Sequence, residues 1–342
     1  MNVLILGVGG FIGSSLLPAL LKQEGFRVTG LDLGEQKIIP YLAHPRFHFR
    51  RGDMTQEMDW VSRQVAQADI VFPLAAIANP ALYVSDPLKV FALDFEANLP
   101  IVRLCVQHKK RLIFPSTSEV YGMCTDPVFD EETSPLIQGP IGKERWIYST
   151  SKQLLDRVIH AHGKQDGLDY TLFRPFNWIG ETLDTIDPIT GGHGRVLVQF
   201  LGNIIRGMDI PLVDGGTQRR SFTDIKDGVE GLMAMVLNQN YAASRQIFNL
   251  GNPKSDISIR TFAEEMLSRT LAHPLCPPQA SKTQIISVSG QDHFGPAYQD
   301  VQLRVPGIQK ARDLLGWAPK VPLGDSLDRI IDFHLTRLFA GR

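Results

Sequence analysis

Val3-Leu4-Ile5-Leu6-Gly7-Val8-Gly9-Gly10-Phe11-Ile12-Gly13 is the stretch on which the reading of this 342-residue chain turns. Val3 to Leu6 is an unbroken apolar run, the pattern of a short strand buried on both faces of a parallel sheet. Gly7, Gly10 and Gly13 follow at three-residue spacing, and from Ser14 to Lys22 the residues Leu16, Leu17, Leu20 and Leu21 recur at helical spacing. Strand, glycine turn and helix in that order make a seat for a pyrophosphate. The glycines, with Phe11 and Ile12 between them, allow a tight turn and close approach, and the helix offers unpaired N–H groups and the positive end of its dipole. Taken alone, the spacing also fits an ordinary glycine-rich turn.

The flanking sequence favours the nucleotide. A second strand, Phe26 to Leu31, ends in Asp32, about 20 residues past the glycines, where a carboxylate can take both hydroxyls of a ribose. An acid there repels a 2′-phosphate, so the expected cofactor is NAD rather than NADP. Further strands are expected at Phe47–Arg50 (followed by Gly52-Asp53), Ile70–Leu74, Arg111–Phe114 and Tyr170–Phe173. Small residues, Ala75-Ala76-Ile77-Ala78, follow the fourth strand and suit either a flat ring or close packing.

Asp86-Pro87 opens what reads as one long helix to about Gln107, with Asp86 as cap and Pro87 at its first position. Its apolar residues Leu88, Phe91, Leu93, Phe95, Leu99, Ile101, Val102 and Cys105 exceed one stripe, so a subunit contact is expected there besides the sheet. Six strands alternating with helices predict an α/β fold, a Rossmann-type doubly wound parallel sheet. Residues 1–178 are expected to form the nucleotide domain, with 222–250 returning to it. Residues 179–221 and 251–342 are expected to form a smaller C-terminal substrate-binding lobe, and the Gly/Pro/Thr/Asp-rich stretch to about Gly194 a binding loop.

Bulk properties narrow the function. Lys and Arg number 35 against 36 Asp and Glu, so no basic surface points to nucleic acid or an anionic membrane. Three widely spaced cysteines, Cys105, Cys124 and Cys276, argue for a reducing compartment and against a thiolate metal site. No apolar run reaches membrane-spanning length, and the default expectation is a cytoplasmic protein. His160 and His162 lie two apart on a helix and face different ways, so no metal is expected.

Chemistry concentrates in two blocks, Ser116-Thr117-Ser118-Glu119-Val120-Tyr121-Gly122 at a strand end and Tyr148-Ser149-Thr150-Ser151-Lys152 on a helix. Tyr148 and Lys152, four apart, share a helical face. An ammonium beside a phenol favours phenolate and is expected to lower the Tyr148 pKa towards that of a general base. The same lysine can bond a cofactor ribose. Tyr-x-x-x-Lys by itself is common on exposed helices; the upstream hydroxyls and glycine turn give it weight.

Glycine motif, Asp32, hydroxylated strand end and Tyr-x-x-x-Lys together resemble the extended short-chain dehydrogenase/reductases that act on nucleotide sugars. The segment Gly215 to Asp224 is similar to that family's nucleotide-diphosphate clasp. Pro115 to Cys124, Arg145 to Ser149, Ser151 to Ile159, Arg174 to Trp178 and Tyr298 to Val301 more narrowly resemble the UDP-glucuronate decarboxylase module of bifunctional polymyxin-resistance proteins. The formyltransferase module of those proteins is not in this sequence, so any formylation is expected of another protein.

That resemblance implies NAD-dependent oxidation of UDP-glucuronate at C4, then loss of C6 as carbon dioxide, giving UDP-4-keto-pentose or, with NADH reused, UDP-xylose. It implies catalytic roles for Thr117, Ser118, Glu119, Tyr148, Lys152 and Arg304, the last paired with Glu119 as acid and base. Cofactor contacts fall on Gly7, Gly10, Phe11, Ile12, Gly13, Asp32, Asp53, Ala75, Tyr148 and Lys152. Sugar-nucleotide contacts fall on Ala78, Tyr83, Thr117, Ser118, Asn177, Arg195, Gln218, Arg220 and Tyr298. Relatives that dehydrate carry Asp at the Ser118 position, and 4-epimerases usually lack an acid at Glu119. Apiose synthases carry Cys at Ser118. Departures fall at Pro211, a lysine in the family, and at His193-Gly194, where the family has serines; both bear on sugar preference. A UDP-uronate 4-epimerase and a non-catalytic NAD(H)-binding regulator remain the alternatives. A homodimer is expected, through the helices near 86–107 and 148–163.

Overall fold

The apolar runs become strands because each is buried on both faces. The computed structural model describes residues 1–186, 195–290 and 299–339. In chain order, β1 (Asn2–Leu6), α1 (Phe11–Lys22), β2 (Arg27–Asp32), β3 (Phe47–Arg51), α2 (Met58–Gln67) and β4 (Ile70–Pro73) come first. Next are the short helices α3 (Pro80–Ser85) and α4 (Pro87–Phe91), then α5 (Asn98–Gln107), β5 (Arg111–Pro115), α6 (Trp146–Gln165) and β6 (Tyr170–Pro175). The second half holds β7 (Trp178–Ile179), α7 (Val196–Arg206), β8 (Ile210–Val213), β9 (Arg219–Ser221), β10 (Thr223–Asp224), α8 (Ile225–Leu237) and β11 (Gln246–Leu250). It closes with β12 (Asp256–Ser258), α9 (Ile259–Ala272), β13 (Ile285–Val288), α10 (Gln309–Leu315) and α11 (Leu323–Phe339).

Seven strands form one sheet in the order β11-β6-β5-β4-β1-β2-β3, every pair parallel. Val3 lies opposite Val28 on one side and Ile70 on the other. The chain winds outward from β1 in both directions, and the reversal between β1 and β4 opens a crevice at the strands' carboxyl ends. This is a Rossmann-type sheet, as the sequence predicts.

Helices cover both faces. On one, Leu16, Leu17 and Leu20 of α1 and Leu232 and Met235 of α8 pack with Phe72 and Phe248. On the other, Val61 and Val65 of α2, Ile101 and Val102 of α5 and Leu155 and Ile159 of α6 pack with Leu4, Val71 and Leu112. A third apolar cluster joins α7, α9 and α11 through Leu201, Ile204, Phe262, Met266, Ile330 and Ile331. Each such buried side chain contributes about 1.5–3 kcal/mol of transfer free energy. Among the described residues no helix is long and apolar enough to cross a membrane.

The expected single helix over 86–107 is corrected. Asp86 does cap, its Oδ1 accepting Lys89 N–H at 3.3 Å with Pro87 in the first turn, but α4 ends at Phe91. Ala92–Glu96 forms a wide π-type turn, closed by Ala97 N–H to the Ala92 carbonyl at 2.9 Å, before α5 begins. Pro100 lacks the N–H that a continuous helix would send to the Glu96 carbonyl, and its ring crowds that position. Strands β7, β9, β10, β12 and β13 escaped the sequence reading because runs of two to four residues carry no usable periodicity.

Candidate active site

Backbone crowding shapes the glycine turn. Gly7 has φ +96°, and a Cβ there would stand 2.7 Å from the Ala75 amide nitrogen; at Gly13 it would stand 2.4 Å from the Gly7 carbonyl. The ends of β1 and β4 and the start of α1 therefore approach as only glycine permits. Gly10 caps α1 without a side chain, and among the described residues no side-chain cap bond satisfies the first turn's N–H groups, as suits an anion seat. The Asp32 carboxylate steadies the turn, accepting from Gly9 N–H at 2.9 Å and Gly34 N–H at 3.0 Å. Asp53 accepts from the Thr55 amide and hydroxyl, both at 2.8 Å, in the turn after β3.

At the end of β5, Thr117 caps a 3₁₀ turn over Ser118–Tyr121, its Oγ1 accepting Glu119 N–H at 3.2 Å. Thr117, Ser118 and Glu119 are all buried. On α6, Tyr148 hydrogen-bonds Thr117 and stacks on Tyr83, ring centroids 4.5 Å apart and planes 7° from parallel. Lys152, one turn further, is fully buried. Its Nζ stands 3.4 Å from Asp94 Oδ1 and 5.0 Å from the Phe114 ring centre, with no other hydrogen-bond partner among the described residues.

The expected lowering of the Tyr148 pKa is corrected. Burial raises the phenol's pKa, the charges of Asp94 and Glu119 raise it further, and the Thr117 bond and Arg195 offset only part. Lys152 does not act alone because Asp94 stands beside it with the opposite charge.

Glu119 sits in a cluster of guanidinium groups. Arg145 Nη2 reaches its Oε2 at 2.8 Å and Arg304 Nη1 its Oε1 at 3.4 Å. Burial pushes the Glu119 carboxyl up, but Arg304, Arg145 and Arg220 pull harder and hold it below the usual carboxylate range. Asp300 continues the cluster, 2.6 Å from Arg220 and 3.9 Å from Arg145, and the arginines likewise outweigh its burial. Behind Thr117, Ser116 Oγ donates to Asp156 at 2.6 Å, Asp156 faces Arg174 at 3.6 Å, and Arg174 donates to the Tyr121 hydroxyl at 2.8 Å.

The structure brings together Thr117, Ser118, Glu119, Tyr148, Lys152, Arg304 and Tyr83, and beside them Asp94, Arg145 and Asp300, which the sequence reading did not single out. The available signals were an acid among apolar residues at Asp94 and an arginine three before Tyr148 at Arg145. Ala78 follows Ile77, whose N–H is held by Asp94 at 3.0 Å. Asn177, at φ 40°, donates to the Ser221 carbonyl at 3.1 Å, and Arg220 donates to the Val301 carbonyl at 2.6 Å. Gln218 is buried, its carbonyl accepting Ile259 N–H at 3.0 Å. Arg195 lies 5.9 Å from the Phe11 ring centre, bound to Asp184 at 3.0 Å. Tyr298 and His193-Gly194 lie outside the described residues. Among the described residues no group of three His, Cys, Asp or Glu could hold a metal ion.

A helix start without a side-chain cap, a glycine seat that no Cβ could share and a buried ammonium with Asp94 as its one near partner among the described residues all suit a bound dinucleotide. Fold and site thus define an NAD-dependent enzyme of the Rossmann class. The model of the NAD dependent epimerase/dehydratase family matches residues 3–251, and the chain belongs to that family, with NAD as its cofactor. The crystal structure of the PbgP3 protein from Burkholderia pseudomallei is similar at 45% identity over 98% of this chain and 97% of that one, TM-score 0.89. UDP-glucuronic acid 4-epimerase from Bacillus cereus, solved with UDP-glucuronic acid and NAD, shares 23% identity over 99% and 100%, TM-score 0.81. dTDP-glucose 4,6-dehydratase from Bacillus anthracis, solved with NAD, shares 17% over 98% and 96%, TM-score 0.75. The last two share the fold.

Proposed function

We propose that this chain oxidises UDP-glucuronate at C4 and releases C6 as carbon dioxide. The observation that carries the reading is the 3.4 Å contact of Glu119 with Arg304, next to Ser118 and close enough for the Glu119 charge to act on Tyr148. The resemblance of these blocks to the decarboxylase module of polymyxin-resistance proteins points the same way.

NAD, when bound, supplies the hydride acceptor and a positive ring charge that favours phenolate. Tyr148 takes the proton of the sugar 4-hydroxyl, and Thr117 orients its phenol. The resulting ketone at C4 is β to the C6 carboxylate, so the C5–C6 bond can break. Its electron pair enters a C4–C5 enolate, carbon dioxide leaves, and C5 then takes a proton. Thr117, Ser118 and Tyr148 supply hydroxyl donors for the enolate oxygen. Arg304 and Glu119 are the acid and base of this last step: Arg304 gives C5 its proton, and Glu119, held ionised by its arginines, relays a solvent proton back to it. Ser118 has no proton acidic enough to drive off a C6 hydroxyl, which disfavours dehydration.

In this reading residues 1–178 and 222–250 hold NAD, and 179–221 and 251–342 hold the UDP-sugar. Two copies pair through α4, α5 and α6, where Leu88 and Leu154 are exposed. A 4-epimerase that keeps its carboxylate is the competing reading, favoured if the Glu119 ion pairs serve only to fill the site. Incubation with UDP-glucuronate and NAD⁺, following NADH absorbance, carbon dioxide and the product's NMR spectrum, separates them. Carbon dioxide with stoichiometric NADH gives the keto-pentose, and carbon dioxide without net NADH gives UDP-xylose. A C4 epimer without carbon dioxide removes the decarboxylase.

A further inference from the structure

Asp94 has no part in the assignments above, yet its setting is specific. It is fully buried on the π-type turn that interrupts the α4–α5 stretch. Wide turns of this kind recur at functional sites because they swing one side chain out of helical register. Here that side chain enters the reaction site. One carboxylate oxygen accepts Ile77 N–H at 3.0 Å, and the other stands 3.4 Å from Lys152 Nζ, with no other partner among the described residues. Asn98 holds the turn open, donating to the Leu93 carbonyl at 2.8 Å.

An ammonium buried without a counter-charge is costly, and removing its partner leaves that charge uncompensated. Lys152 faces the Phe114 ring on one side and Asp94 on another. We propose that Asp94 is a positioning residue for Lys152. Its carboxylate fixes the ammonium and ties it to the backbone of the Ala75–Ala78 turn, so that NAD binding and C4 oxidation depend on Asp94 through Lys152. The proposal rests on the reading of Lys152 as a cofactor ligand.

Asp94 also bears on Tyr148, whose charged or titratable neighbours are Lys152 on its own helix, Tyr83 of α3, Glu119 of the 3₁₀ turn and Arg195 ahead of α7. Loss of the Asp94 charge leaves those groups in place and makes the phenol easier to ionise.

Asp94→Asn keeps the volume and an oxygen for Ile77 N–H while removing the charge. NAD⁺ affinity by calorimetry, UDP affinity and the pH profile of single-turnover NADH formation are measured for wild type, Asp94→Asn, Lys152→Met and the double variant. Asp94→Asn is expected to weaken NAD⁺ binding at least about tenfold. UDP binding should stay within about twofold, and the loss should vanish in the Lys152→Met background. The rising limb of the pH profile should move down by about one pH unit. Unchanged NAD⁺ affinity, or the same loss in the Lys152→Met background, overturns the proposal. Should Asp94→Asn fail to fold, the double variant, which lacks the orphaned ammonium, is expected to fold, and its failure also overturns it. A wild type that forms no NADH from UDP-glucuronate sinks the decarboxylase reading, while the NAD⁺ affinity cycle still decides for or against Asp94.

Discussion

Arg304 Nη1 lies 3.4 Å from Glu119 Oε1, although 185 positions separate the two in the chain. Arg145 reaches the other oxygen of the same carboxylate, from the residue before α6. Three segments remote in sequence thus meet on one buried acid, and their charges, rather than its exposure, set its ionisation. A carboxylate held this way is a standing anion 3.4 Å from Arg304, and its charge acts on the Tyr148 phenol.

Glu119→Gln keeps the shape and one acceptor but not the charge. Carbon dioxide release should fall about 10²–10⁴-fold, the range of a lost general base. UDP affinity by calorimetry should hardly change, because Arg220 of the proposed diphosphate clasp keeps its bonds to Asp300 and the Val301 carbonyl. Full retained release removes Glu119 from its role.

Tyr148→Phe deletes one oxygen and keeps the stack on Tyr83. NADH formation should drop about 10²–10⁴-fold with NAD⁺ and UDP binding retained. Stopped-flow absorbance with parallel titrations reads both. Normal NADH formation contradicts proton removal by Tyr148.

Asp32→Asn leaves the glycine turn with a weaker acceptor for Gly9 and Gly34 and no charge against a 2′-phosphate. NAD⁺ affinity should fall about tenfold and the preference over NADP⁺ shrink, with roughly 1.4 kcal/mol for each tenfold step. Paired titrations with the two cofactors check it, and an unchanged preference counts against the assignment.

The fold below neutral pH depends on His334, buried on α11 with no partner for Nε2 among the described residues. Burial, helped by Arg337, pushes its pKa from 6.5 down to about 4. The unfolded chain therefore binds a proton below pH 6.5 that the folded chain refuses until about pH 4. Stability is complete above pH 6.5 and is lost as pH falls through that window, by about 3 kcal/mol in all. His334→Leu should flatten the slope of urea stability between pH 6.5 and 4.5; an unchanged slope assigns the acid sensitivity elsewhere.

The strands, the glycine turn and the Tyr148–Lys152 pair were legible in the sequence because each rests on local spacing: buried runs, three-residue glycine steps, one helical turn. Asp94 was not, because residues 86–107 carry enough apolar positions to read as one helix, and only Pro100 hints at the break. Nor was the charge cluster. The resemblance paired Arg304 with Glu119, but Arg145, Arg220 and Asp300 are polar residues in separate segments, and only the folded chain shows that the two arginines act on Glu119 and that Asp300 pairs with them. The rise of the Tyr148 pKa was hidden for the same reason. The lysine was visible at four-residue spacing, whereas the acid that offsets it lies more than fifty positions upstream.

The central claim is that the sugar loses its carboxylate, and UDP-glucuronate labelled with ¹³C at C6 tests it most directly. With NAD⁺ present, the account predicts that the label leaves as ¹³CO₂ and is absent from the nucleotide product. Label retained in a UDP-uronate inverted at C4 would contradict it.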